Sequence, residues 1–128
     1  MARPVVHFEV TGRDPENLRR FFGRLFDWDF DVPSPVAAGI SDPDAYGFLN
    51  PDPSNEVPGI PGGVGGGPGF DPGTVFYVLV DDVSASLAEA EELGGKRVLG
   101  PTVAPSGLVV GHLEDPEGNL IGLAALHR

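Results

Sequence analysis

His7 and Glu9 stand two residues apart in Val5-Val6-His7-Phe8-Glu9-Val10, a run rich in β-branched residues. Its period-two pattern places His7 and Glu9 on one face of a strand, with Val6, Phe8 and Val10 on the other. Burying a carboxylate without a partner is expensive, so three readings fit the two groups. They form a hydrogen-bonded pair lining a pocket; or Glu9 bonds an arginine or backbone donor beside a satisfied interior histidine; or one of them serves as a general base. His112, on a later strand, would complete a two-histidine, one-carboxylate set of the kind that suits non-haem iron. Nothing in the spacing brings these three together. Cysteine is absent, which excludes disulfides, thiolate metal sites and a cysteine nucleophile. The run Gly59-Ile60-Pro61-Gly62-Gly63-Val64-Gly65-Gly66-Gly67 lacks the Gly-Lys-Ser/Thr ending of a phosphate loop. It reads instead as a glycine-rich strand whose bare backbone admits a close neighbour.

The elements that position these groups come in a repeated order. Asp14 is suited to cap a helix, with Pro15 at its first position and Leu18, Phe21, Phe22 and Leu25 as one buried stripe. Arg19, Arg20 and Arg24 read as its solvated face, with Glu16 and Arg20 paired one turn apart. A short second strand is expected at Trp28 and Phe30, and another over Tyr46-Gly47-Phe48-Leu49. Thr74 to Val80 is a strand, Asp82 caps a helix with Val83, Leu87, Ala90 and Leu93 on one face, and Gly94-Gly95 closes it. Three strands follow, Arg97 to Leu99, Leu108 to Leu113 and Leu120 to Leu126, the last two joined by Asp115-Pro116-Glu117-Gly118-Asn119. A constant offset of 68 maps His7 onto Val75, Phe8 onto Phe76, Asp14 onto Asp82 and Leu25 onto Leu93. Two copies of β-α-β-β-β therefore fill the chain.

Composition narrows the partners. With 8 basic against 19 acidic residues the formal charge is −11, which disfavours nucleic acid because phosphate binding needs clustered Lys and Arg. Nineteen glycines and fourteen prolines punctuate apolar segments in a chain that is 41% hydrophobic, so one domain with a core is expected. No stretch reaches the roughly 18 to 20 apolar residues that span a bilayer. Met1-Ala2-Arg3-Pro4 leads straight into strand-like sequence without the features of a signal peptide, which points to a cytoplasmic protein.

The chain resembles the vicinal oxygen chelate superfamily, which groups glyoxalase I, bleomycin-resistance proteins and extradiol dioxygenases. The resemblance lies in His7-Phe8-Glu9-Val10, Phe21 to Trp28, Gly62-Gly63-Val64-Gly65, Phe76 to Val83, Ala90 to Gly95 and Asp115 to Asn119, in that order. It implies an α+β fold of two tandem βαβββ modules, about 4–68 and 72–127, forming curved mixed sheets around a cavity, commonly in a homodimer. Phe48 and Tyr46 then lie in a segment that forms the cavity wall in relatives. Metal-dependent members use four side chains, on the first and last strand of each module. Of those positions His7 alone matches. Its counterpart is Val75, the last-strand carboxylate position falls near Gly122, and the remaining one falls in the glycine-rich strand around Gly62 or Gly63. One imidazole cannot replace about three protein donors, so the inherited metal site is read as dead and no cofactor is expected.

The favoured reading is a metal-free member binding a small organic molecule, with sequestration of a cationic antibiotic as one form. Its cavity candidates are His7, Glu9, Phe48, Gly63, Val75, Tyr77, His112 and Gly122. Tyr77 shares the inward parity of Val75, whereas His112 is flanked by apolar residues on both sides and is placed at the surface or in the core. His127 reads as a solvated tail residue. The alternative is a glyoxalase- or dioxygenase-like enzyme, a lyase, isomerase or dioxygenase, using a divalent metal on an atypical set that includes His7.

Overall fold

A computed structural model describes residues 1–126 of the chain, so His127 lies outside the described residues. The fold is α+β, and the described residues form two helices and seven strands in two compact units. The first unit, His7–Thr74, carries most of β1 (Val5–Gly12), then α1 (Pro15–Phe26), β2 (Gly47–Leu49) and β3 (Gly62–Gly66). Strand β3 runs parallel to β1, with Phe8 opposite Gly62 and Glu9 opposite Gly63, and antiparallel to β2, with Phe48 opposite Gly63. The expected strand at Trp28 and Phe30 contracts to a single bridge between Asp31 and Phe48. Trp28 and Phe30 are instead drawn into an aromatic cluster, with Phe8, Phe22 and Phe26 centred 5.4, 5.3 and 5.2 Å from Trp28.

Asp14 caps α1 by accepting from the Asn17 N–H at 3.1 Å. The buried stripe of this helix is rotated from the one the apolar spacing suggests. Phe21 and Leu25 are 57% and 59% exposed, whereas Pro15 is buried and Leu18, Arg19 and Phe22 are half-buried. Arg19 explains the rotation. Its guanidinium donates to the Ala45 carbonyl, and its aliphatic stem lies over Gly47, where a Cβ would come within 2.7 Å of it. A long cationic side chain thus covers apolar surface with its stem and satisfies a carbonyl with its head. It is no part of a solvated basic face, though Arg20 does meet Glu16 at 3.6 Å.

The other unit contains residues 1–6 and those from Val75 onward. Here β4 (Gly73–Leu79) pairs in parallel with β7 (Leu120–Leu126), β7 is antiparallel to β6 (Leu108–Glu114), and β6 is antiparallel to β5 (Lys96–Val103). Asp82 caps α2 (Val83–Glu92) through the Ala85 N–H at 3.0 Å. Val83 and Leu87 of this helix pack with Val109, Leu123 and Ala125 to make the core. Leu93, expected on the same face, sits at the C-cap and is 71% exposed, because the helix ends before it. The Asp115 carboxylate accepts from the Glu117 and Asn119 N–H groups and the Asn119 amide, which closes the β6–β7 turn.

Candidate functional site

Strand alternation carries His7 and Glu9 to one face of β1, and Tyr46 joins them there. The Tyr46 hydroxyl donates to Glu9 Oε2 at 2.8 Å and lies 3.0 Å from His7 Nε2, so it bridges the two groups. Glu9 and Tyr46 are buried at 3% exposure each, and His7 is half-buried. Phe48, two residues beyond Tyr46, stacks on the His7 ring at 5.9 Å and an interplanar angle of 12°. Burial pushes the His7 imidazole down from 6.5 to about 4, so it is neutral near pH 7. Burial, then the Glu9 charge and the hydrogen bond to it, raise the Tyr46 phenol, which stays protonated.

The glycines of β3 are what let Tyr46 reach this place. A Cβ on Gly63 would fall inside the Tyr46 hydroxyl, and one on Gly65 would come within 2.7 Å of both the Tyr46 ring and Ser41 Oγ. On the opposite face, Gly62 is covered by the Phe8 ring. Strand parity therefore assigns Gly63, not Gly62, to the face of His7. Buried Ser41 accepts from the Gly66 N–H at 2.8 Å and ties the preceding loop to β3.

The second unit repeats the device with different side chains. Gly122 is flanked by Tyr77 on β4 and His112 on β6. The Tyr77 hydroxyl lies 2.7 Å from His112 Nε2, and a Cβ on Gly122 would meet the Tyr77 ring at 2.5 Å. Val75 and Tyr77 are buried at 8% and 2% exposure. His112 is half-buried, a position between the surface and core placements expected for it, because Tyr77 draws its ring to the glycine. Burial lowers its pKa also.

The resemblance places Tyr46 with Phe48 only in a cavity-wall segment, whereas in the structure it is the group that joins His7 to Glu9. Its signal lay in the glycine strand: a bare floor at 63 and 65 implies a large side chain above it, and Tyr46 shares the parity of Phe48 one strand away.

A family model, the Glyoxalase/Bleomycin resistance protein/Dioxygenase superfamily, matches residues 5–123. The chain belongs to this superfamily. A glyoxylase-like domain-containing protein from Didymella fabae is 28% identical over 121 residues, spanning 87% of this chain and 84% of its own. Among solved structures, a Streptomyces coelicolor methylmalonyl-CoA epimerase variant in complex with 2-nitronate-propionyl-CoA covers 98% of this chain and 95% of its own, at 15% identity and a TM-score of 0.63. A hypothetical protein from Bacillus halodurans C-125 covers 100% and 97%, at 14% identity and a TM-score of 0.61. These structural likenesses establish the fold.

The residues of this superfamily member do not fit a divalent metal at the positions the resemblance marks. His7 supplies one nitrogen, Val75 supplies no donor, and the space above Gly63 and Gly122 belongs to tyrosine side chains. Among the described residues, no group of three or more His, Asp and Glu side chains is gathered to hold a metal ion.

Proposed function

We propose that this chain is a single-domain, metal-free member of the superfamily that binds a small organic molecule. The polar anchor is the His7–Tyr46–Glu9 group, and Phe48 is the flat apolar surface beside it. One observation carries the reading: the Tyr46 hydroxyl lies between His7 and the buried Glu9, at 3.0 and 2.8 Å, and occupies the space beside both groups. A few convergent polar groups against aromatic surface are what a small-molecule site requires. The Streptomyces coelicolor epimerase, in complex with 2-nitronate-propionyl-CoA, supports a small-molecule role for this fold. Val75, Tyr77, His112 and Gly122 belong to the same reading as lining groups. So does a homodimer, which light scattering tests. The net charge of −11 favours long-range attraction of cationic ligands, and sequestration of a cationic drug is the concrete form proposed.

Two measurements on the purified protein test this. Titration with bleomycin, followed by calorimetry and Trp28 fluorescence, is expected to give heat and a fluorescence change; neither would overturn drug sequestration. Thermal denaturation with Zn, Ni, Mn or Fe is expected to show no stabilisation. A rise in Tm that disappears in His7→Ala would establish a tight metal by mass action and overturn the metal-free reading.

A further inference from the structure

Resting on the homodimer proposed above, we infer that two copies of this chain meet on the aromatic face built by α1 and the segment after it. A two-fold axis sets the arginine end of each face against the aspartate end of the other. Trp28 gathers the rings of Phe8, Phe22, Phe26 and Phe30, the farthest centred 6.4 Å away, and Phe21 extends the row at 5.3 Å from Phe22. Six aromatic rings in contact would ordinarily make a core. Here none is fully buried, and Phe21, Leu25 and Phe26 are each more than half exposed. These three leave roughly 300 Å² of apolar surface open, counting about 200 Å² for a fully exposed large side chain. Widened by the half-buried rings, such a patch is at the limit of what a monomer leaves to water.

Charge selects the occupant. Arg20 and Arg24 stand one turn apart on the exposed side of α1, beside Phe21. Asp27, Asp29 and Asp31, all exposed, alternate with Trp28 and Phe30 at the other end of the row of rings. Among the described residues, neither Arg24 nor any of these three aspartates forms an ion pair. A face basic at one end and acidic at the other complements itself, because a two-fold rotation makes both opposite-charge contacts at once. A wholly cationic partner would meet repulsion at the arginine end, and a wholly anionic one at the aspartate end. Phe, Trp and Arg are also the residue types that interfaces favour. The chain carries a formal charge of −11, so two copies repel at long range and only a face with its own basic end relieves that on contact.

Sedimentation equilibrium of the full chain at low salt, over a wide range of protein concentration, tests the face. Wild type is expected to pass from monomer to dimer while the fluorescence of Trp28, the one tryptophan, shifts to the blue as its ring loses water. A monomer at every concentration overturns the homodimer and this face together; a Trp28 shift on adding polylysine then assigns the face to a basic partner instead. Arg24→Glu and Asp29→Arg each set like charges together at both ends of the interface, and each is expected to raise the dissociation constant by about tenfold or more. Mixed in equal amounts, the two variants are expected to dimerise like wild type, because in that pair every contact again joins opposite charges. Misfolded chains could not rescue one another. A dimer that tolerates either substitution overturns the face and leaves the homodimer standing; variants that stay monomeric when mixed overturn the two-fold charge pairing. Phe21→Ser is expected to weaken the dimer while leaving the stability of the dilute monomer unchanged, and an unaffected dimer again overturns the face.

Discussion

Glu9 and Tyr77 hold the same register position in the two modules: each lies opposite a glycine, Gly63 or Gly122, across a parallel strand pair. On the far side of those glycines stand Phe48 and His112, again in equivalent register. Duplication has kept the frame and exchanged the side chains. In both modules a tyrosine occupies the space over the glycine and holds a histidine Nε2.

Restoring side chains at these glycines should therefore damage the fold before it rebuilds any site. Gly63→Ala would displace the Tyr46 hydroxyl, and Gly122→Glu would displace the Tyr77 ring. Each is expected to cost about 1–3 kcal/mol, the usual range for overpacking a filled space. Urea denaturation measures the loss, and no gain in metal-dependent Tm should accompany Gly122→Glu.

Removing the bridge leaves a buried acceptor short of a donor. Tyr46→Phe is expected to destabilise by about 1–3 kcal/mol, because Glu9 is 3% exposed and loses the Tyr46 hydrogen bond. The double variant Tyr46→Phe/Glu9→Leu should lose less than the sum of the single variants, since the two groups share one hydrogen bond. Additive losses in a double-mutant cycle would contradict the bridge.

Acid should weaken the protein through its histidines. Unfolded His7 takes up a proton near pH 6.5, while the folded ring resists it until about pH 4. The unfolded state binds more protons in that window, so stability falls as pH drops from 6.5 towards 4. His7 contributes about 2 kcal/mol to this loss, allowing for its partial exposure. His112, also lowered by burial, acts in the same direction. Chemical denaturation at stepped pH is expected to show this slope, reduced in His7→Gln.

The two helices should respond differently to loss of apolar side chains. Phe21→Ser and Leu25→Ser on α1 are expected to change stability by no more than about 0.5 kcal/mol, as both residues are more than half exposed. Leu87→Ala on α2 should cost about 2–5 kcal/mol, because Leu87 is fully buried against Val83, Val109 and Leu123. Equal losses at the two helices would place the α1 stripe where the apolar spacing alone suggests it.

Local physics made much of this molecule legible from residue order. Asp14 and Asp82 start helices because their carboxylates satisfy amide groups one turn ahead, and strand alternation sets His7 beside Glu9. The glycines at 63 and 122 leave bare positions on their strands, since a missing side chain is a fact of sequence. What fills a bare position is a different matter. Tyr46 comes to Gly63 because β2 and β3 pair in one register out of several, and Arg19 turns α1 because Gly47 happens to lie beneath it. Those contacts join residues far apart along the chain, and no period or propensity encodes which distant surface a side chain will meet. Local spacing determined the helix caps and the strand face shared by His7 and Glu9; long-range packing alone decided that a tyrosine would tie the two together.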